Sequence, residues 1–286
     1  MSELIIGAHM AVSEGYRKMV SDALSIGCTS MQFFTRNPRG GDVREYDKAD
    51  IDAANALLAE AGIPPSHIIA HAPYTMNPCS SKPEVREFTV RTMREDIARL
   101  EDFPGILYNF HPGSHTGQGT ETGIAETAHC LASVITLGQK TMVLIETMAG
   151  KGTEIGRSFE EVRVIIDAAE AENPAVSGRL GVCLDTCHIS DAGYDIINDL
   201  DGVIKKFDET VGLERLYAVH CNDSKNPPSS AKDRHEKIGE GEIGLAAICA
   251  IINHPALRGL PFCLETPNDM DGYAREIELL RSEYKR

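Results

Sequence analysis

The chain has 286 residues, 42% of them hydrophobic and 25% charged, and its 28 Lys+Arg against 43 Asp+Glu leave a formal net charge of −15. That length can bury one large core or two smaller ones, and no stretch approaches the ~20 consecutive apolar residues of a membrane span. The acidic balance argues against broad electrostatic binding to nucleic acid, so any such contact has to be local.

The N-terminus, MSELIIGAHM, enters a strand-like run at once, without a basic region and a small-residue cleavage site. No signal peptide is therefore expected, and a cytoplasmic location is. Strands are predicted at 4–10, 28–34, 67–74, 105–111, 141–147, 180–186, 216–223 and 261–266. Helical patterns lie between and after them, at 13–26, 50–61, 82–101, 121–137, 158–172, 199–211, 245–253 and 272–284. The punctuation suits helix ends: Gly27 and Gly62 follow last turns, Pro64 and Pro65 come soon after, and Ser or Asp precedes first turns. Eight Cys, scattered mostly through apolar runs, read as reduced thiols. Cys183 and Cys187 flank Asp185, but no CxxC pair matches them, which favours small buried residues over thiolate ligands.

Near-continuous apolar runs such as TMVLIE and LGVCLD imply strands buried on both faces, hence a parallel sheet covered by helices. Roughly eight βα units favour a closed (β/α)₈ barrel of the TIM type over an open doubly wound sheet. No low-complexity tract divides the chain, so residues 1–286 are expected to form a single catalytic domain. The longest irregular stretches, 35–46, 74–81 and 224–242, all follow strands. A barrel would gather them on the C-terminal rim, where active sites are built.

Nine residues close these strands or lie just beyond them: His71, His111, Glu146, Asp185, His188 in the turn that follows Asp185, His220, Asp233, His235 and Glu265. One rim would make them an N/O ligand set suited to zinc or manganese. Each alone has a plainer reading. A lone His near a strand end is more often a hydrogen-bonded shell residue, and His9 and His115 stay in that class. His67, His129 and His254 look like surface or helix residues, and Asp185 or Asp223 could be a helix cap. The set is harder to dismiss. VLIE, VCLD and FCLE each end a buried run on an acid, and unpaired buried charge is costly.

The local sequences YNFHPGSH (108–115), GVCLDTCHISDAGYD (181–195), HCNDSK (220–225), DRHEKIGEG (233–241) and LETP (264–267) resemble the endonuclease IV family of apurinic/apyrimidinic endonucleases. The resemblance runs from IGAH to LETP, nearly the whole chain. It implies a TIM barrel with three zinc ions. His71 and His111 would bind one, Asp185, His220 and Glu265 a second, and Glu146 would bridge the two; His188, Asp233 and His235 would hold the third. The implied reaction is base-excision repair chemistry. A metal-bridging hydroxide attacks the phosphodiester 5′ of an abasic site in duplex DNA and leaves a 3′-hydroxyl, with Glu265 or Glu146 assisting proton transfer.

For substrate contacts, FTRNPRG (34–40) resembles the family loop that enters DNA at the lesion, which makes Arg39 the probing side chain, and Tyr74 matches a DNA-contacting position. The plainer reading of Arg39 is a solvated loop residue. The chain departs from the family where Gly40 and Gly41 replace an aromatic residue, usually Trp, in MAGKG after Glu146, and in YTMNP. Arg36, Lys151, Lys225, Lys232 and Arg234 would give the rim local positive charge. A metal-dependent sugar isomerase or epimerase on a related barrel is the competing enzyme, though it needs fewer ligands. A lesion-binding protein without catalysis is the competing non-enzyme. A monomer that does not engage membranes is expected.

Overall fold

The structure is a computed structural model that describes residues 3–39 and 47–285. Its main sheet holds eight parallel strands. They are β1 (Ile6–Ala8), β2 (Met31–Phe34), β3 (Ile68–His71), β4 (Leu107–Phe110), β5 (Met142–Glu146), β6 (Leu180–Asp185), β7 (Leu216–His220) and β10 (Phe262–Leu264). The order is β1-β10-β7-β6-β5-β4-β3-β2, so the sheet curls back towards its own first strand. A parallel bridge between His9 and Gln32 joins the two ends, with the Met10 N–H donating to the Gln32 carbonyl at 2.7 Å. At this seam the backbones nearly touch. A Cβ on Gly7 would fall 1.7 Å from the Ser30 carbonyl oxygen, so only glycine fits there. The architecture is the (β/α)₈ barrel that the strand count predicts.

The helices are α1 (Tyr16–Ser25), α2 (Lys48–Glu60), α3 (Pro83–Leu100), α4 (Thr120–Val134), α5 (Phe159–Glu172), α6 (Thr186–Asp191), α7 (Leu200–Thr210), α8 (Gly244–Asn253) and α9 (Met270–Glu283). Side-chain caps start several of them: Asp47 accepts from the Ala49 and Asp50 N–H groups, Ser158 from Glu161, Asp199 from Gly202 and Asp269 from Gly272.

Alternation along each strand makes two cores. Residues such as Ile68, Ala70, Tyr108, Phe110, Val143 and Ile145 belong to the large core that includes the helices' buried faces. Ile69, Leu107, Leu144, Cys183, Ala218 and Cys263 form a separate small cluster inside the barrel.

Three expectations change. The run predicted as one strand over 216–223 ends at His220. Asp223 and Ser224 then form β8 (Asp223–Ser224), which pairs antiparallel with β9 (His235–Glu236). His188 sits in α6, not in a turn: Asp185 caps that helix by accepting from the His188 N–H at 2.7 Å. Arg36 is not a rim cation. It is 7% exposed, with Nη2 2.6 Å from Asp96 Oδ1 and 3.3 Å from Glu95 Oε2, because a buried guanidinium needs a carboxylate and α3 supplies one. Gly40, Gly41 and the rest of the 35–46 stretch beyond Arg39 lie outside the described residues.

Candidate metal centre

Six of the nine strand-end residues project from β3, β5, β6, β7 and the residues just past β4 and β10, and all nine fall into contiguous groups. His71, His111 and Glu146 place ligand atoms within 4.8 Å of one another; so do Glu146, Asp185, His220 and Glu265, and so do His188, Asp233 and His235. Glu146 belongs to two groups. Its Oε2 lies 3.2 Å from His71 Nε2 and 3.3 Å from His111 Nε2, and its Oε1 lies 3.2 Å from His220 Nδ1. His220 Nδ1 is also 3.3 Å from Glu265 Oε2 and 3.8 Å from Asp185 Oδ2. In the third group His188 Nε2 is 3.0 Å from Asp233 Oδ1, with His235 Nε2 3.8 Å from the same oxygen.

The imidazoles are oriented from behind. His71 Nδ1 donates to the Ala72 carbonyl at 2.6 Å, His188 Nδ1 to the Thr147 carbonyl at 2.9 Å and His235 Nδ1 to the Glu265 carbonyl at 3.3 Å. A carbonyl oxygen can only accept, so each ring carries its proton on that side and turns the bare Nε2 towards the carboxylates. Such outer hydrogen bonds are the usual support for metal-ligating histidines.

Charge is the problem this arrangement leaves. Glu146 and Asp185 are fully buried, with Glu265 and Asp233 close beside them. Burial raises the pKa of Glu146, yet the His220 and His111 rings outweigh it and hold that carboxyl well below its ordinary range. Glu265 is likewise pulled down to about 2, burial opposing and His220 leading the attraction. The same pairing lifts His188 and His220 well above an ordinary imidazole, against the desolvation that lowers them. Protons on the rings are then the available positive charge. Divalent cations do the same work by taking the nitrogen lone pairs in place of protons. The buried His235 Nε2 has no hydrogen-bond partner among the described residues and faces Asp185 Oδ2 at 3.7 Å, as a nitrogen awaiting a cation would. An all-imidazole and carboxylate set fits zinc or manganese. Cys187 Sγ also lies within 4.8 Å of ligand atoms on Asp185 and His235, but burial pushes its thiol far up, away from thiolate.

Several residues that shape the centre carry no site signal in the sequence, Asp223 reading there only as a possible helix cap. Asn109 Nδ2 donates to Glu146 Oε2 at 2.5 Å, and Asn222 Nδ2 donates to Asp185 Oδ2 at 2.7 Å. The loop carrying Asp233 and His235 is held at both ends. Asp223, buried, accepts from the N–H groups of Ser224, Gly239, Gly241, Ile243 and Gly244, so it grips a whole turn as well as the start of α8. Asp191, at the end of α6, accepts from Ser224 Oγ at 2.9 Å and from the Asp233 N–H at 2.9 Å. That grip holds Ser229, Ala231 and Asp233 at positive φ, a conformation that non-glycine residues adopt only when surroundings impose it. The readable trace of these residues is polarity inside apolar context: an Asn within LYNF and an Asn–Asp pair after LYAVHC.

The centre opens into a cavity of about 410 Å³ lined by Tyr74, His111, Glu146, His188, Asp233, Arg234, His235 and Glu265. Tyr74 is 58% exposed, and its ring lies 5.5 Å from that of His111 and 5.1 Å from Phe34. Arg39 is exposed, with its backbone N–H on Asn37 Oδ1 at 3.0 Å. Lys151, Lys225, Lys232 and Arg234 are exposed on the loops after β5 and β7, though Lys225 Nζ lies 3.7 Å from Glu236. His9 keeps its shell role, and the ring nitrogen Nδ1 of His115 accepts from the N–H groups of Gly117 and Gly119. Among the described residues no helix is long and apolar enough to cross a membrane.

Residues 20–283 match the family model described as a xylose isomerase-like TIM barrel. A probable endonuclease 4 from Clostridium botulinum is 53% identical over 99% of this chain and 100% of its own length. One from Alkaliphilus oremlandii is 52% identical over 99% of this chain and 98% of its own. The crystal structure of endonuclease IV from Thermus thermophilus superposes with a TM-score of 0.83 at 30% identity, covering 97% of this chain and 98% of that one. A D-tagatose 3-epimerase-like protein superposes with a TM-score of 0.69 at 16% identity, a likeness of fold alone.

Proposed function

The chain belongs to the endonuclease IV family, and on that premise we propose that it repairs DNA by hydrolysing the phosphodiester 5′ of abasic sites in duplex DNA, using three zinc ions held in the rim cluster. The observation that carries this reading is the overlap of donor groups at Glu146, which joins a two-histidine set to the Asp185–His220–Glu265 set beside a separate His188–Asp233–His235 set. His71 and His111 would hold one ion, Asp185, His220 and Glu265 a second, Glu146 both of these, and the remaining three residues the third. When bound, such ions bring the pKa of water towards neutrality and offset the charge of a phosphate.

The protein's own groups divide the remaining work. Glu146 has both oxygens enclosed, Oε2 by the Asn109 amide that donates to it and by His71 and His111, and Oε1 by His188 and His220, so it is a fixed strut. Glu265 keeps 11% of its side chain exposed and lines the cavity. It is therefore the better placed carboxylate to take a proton from the attacking water. The water oxygen forms a bond to phosphorus as the bond from phosphorus to the 3′ oxygen breaks; that oxygen takes a proton from solvent and leaves as a 3′-hydroxyl, and the phosphate stays on the other fragment. Tyr74 and Arg39 are assigned to the DNA, the ring at the mouth of the cavity and the guanidinium on the neighbouring loop. Exposed Lys151, Lys232 and Arg234 give the rim local positive charge within an acidic molecule. A sugar isomerase would have no use for the third donor group on the loop after β7. The whole chain is assigned to one catalytic domain, acting as a monomer.

The test is a duplex carrying a single abasic-site analogue, incubated with and without a strong chelator, alongside metal analysis. Cleavage on the 5′ side that the chelator abolishes, with three ions per chain, is expected. An intact duplex together with no more than one tightly bound ion would overturn the assignment.

A further inference from the structure

Gln32 is a buried amide in the middle of β2, where the sequence MQFF offers apolar neighbours on both sides. It sits at the seam that closes the barrel, paired with His9 of the strand edge opposite. Both ends of its amide point into the centre. Oε1 lies 2.7 Å from His220 Nε2, while Nε2 lies 2.5 Å from Glu265 Oε1 and 3.0 Å from His9 Nδ1.

These contacts leave one consistent proton arrangement. A carboxylate only accepts, so the NH₂ end must face Glu265, and its second hydrogen goes to His9 Nδ1. The carbonyl end then faces His220 and can only accept, so His220 carries its proton on Nε2. The opposite nitrogen, Nδ1, keeps its lone pair and faces Glu146, Glu265 and Asp185. Among the described residues no backbone carbonyl does this for His220, as one does for His71, His188 and His235. Without the amide, a proton on Nδ1 would find acceptors at Glu146 Oε1 and Glu265 Oε2, 3.2 and 3.3 Å away. That would close the ligand position. Glu265 would at the same time lose the donor that occupies Oε1 and leaves Oε2 as the inward oxygen.

We infer that Gln32 is a positioning residue of the metal centre: it selects the Nε2–H form of His220 and holds the outer oxygen of Glu265, so that Nδ1 and Oε2 are the atoms offered to the ion. This rests on the metal reading of the cluster given above. Glutamine suits the task because one neutral group supplies an acceptor for the ring and a donor for the carboxylate. Glutamate would set two carboxylates against each other, and methionine of the same length would serve neither.

The experiment compares the wild-type chain with Gln32→Met and Gln32→Glu in zinc competition titrations against a chromophoric chelator. Nitrogen-15 NMR of the zinc-saturated proteins identifies which nitrogen of His220 is coordinated. Wild type should bind through Nδ1. Gln32→Met should lose about 10- to 100-fold in affinity for one ion and show mixed or Nε2 coordination of His220. Gln32→Glu, which keeps an acceptor towards the ring, should lose affinity while retaining Nδ1 coordination; it also serves if the methionine variant fails to fold. Wild-type affinity with unchanged Nδ1 coordination in the methionine variant, or wild-type affinity in the glutamate variant, would overturn the inference and leave the metal reading standing. A wild-type chain that holds no zinc would remove both.

Discussion

Inside the barrel, two layers built by the same strands have opposite chemistry. The lower layer is Ile69, Leu107, Leu144, Cys183, Ala218 and Cys263. Two residues further along each of those strand lines come His71, Asn109, Glu146, Asp185, His220 and Glu265. One strand repeat, roughly 6.5–7 Å, carries the interior from an oily plug to a cluster of imidazoles and acids. The lower layer satisfies itself, because packing needs only neighbours of the right size. The upper layer cannot. Its carboxylates are buried together, and only rings, amides and a cation from outside can balance them. The difference teaches where this fold keeps its stability and where it keeps its chemistry.

That division can be broken in graded steps. Glu265→Gln keeps the volume of the upper layer but removes a charge and the proposed proton acceptor. It is expected to lower cleavage by more than about 10³-fold, roughly 4 kcal/mol in barrier, with the thermal midpoint little changed; a near-normal rate would take Glu265 out of the chemistry. Leu144→Ala opens a cavity in the lower layer, two residues before Glu146, and should cost about 2–5 kcal/mol in denaturant unfolding. Its zinc stoichiometry should hold, and a parallel loss of zinc would mean that the layers are coupled. Asp191→Asn weakens the grip on the loop that carries Asp233 and His235. One ion should bind about 10- to 100-fold more weakly, read by chelator competition, and unchanged binding would show that the loop holds its shape alone. Arg39→Ala touches neither layer. About tenfold weaker binding to an abasic duplex is expected, roughly 1.4 kcal/mol, with all metals in place, and equal affinity would make that loop a simple connector.

Much of this was legible in the residues. Alternating apolar runs and helical patterns are strong when strands are buried on both faces, which is why all eight barrel strands were placed and only their ends ran long. Acids closing VLIE, VCLD and FCLE stood out because charge at the end of a buried run needs a reason. What escaped notice depends on distant partners. Arg36 reads as a rim cation until Asp96, sixty residues away in the chain, is seen to bury it. Asp191 carries no mark in the sequence, and Asp223 reads only as a candidate helix cap, until their backbone N–H partners are known. The short strands β8 and β9 are two residues each, too brief for any periodicity to register.

By itself the sequence determined the barrel and the chemical types at its rim, because both follow from local properties: periodicity two in strands, periodicity 3.6 in helices, and the misfit of acids in apolar runs. It could also name the family, since short motifs survive as strings. Tertiary structure alone decided which nitrogen of each histidine faces the carboxylates, which amide supports which acid, and that Gln32 bridges a seam joining residues 9, 32, 220 and 265. Those are properties of pairs far apart along the chain. Hydrogen-bond direction depends on distances of about 3 Å between groups, and no local pattern encodes such distances.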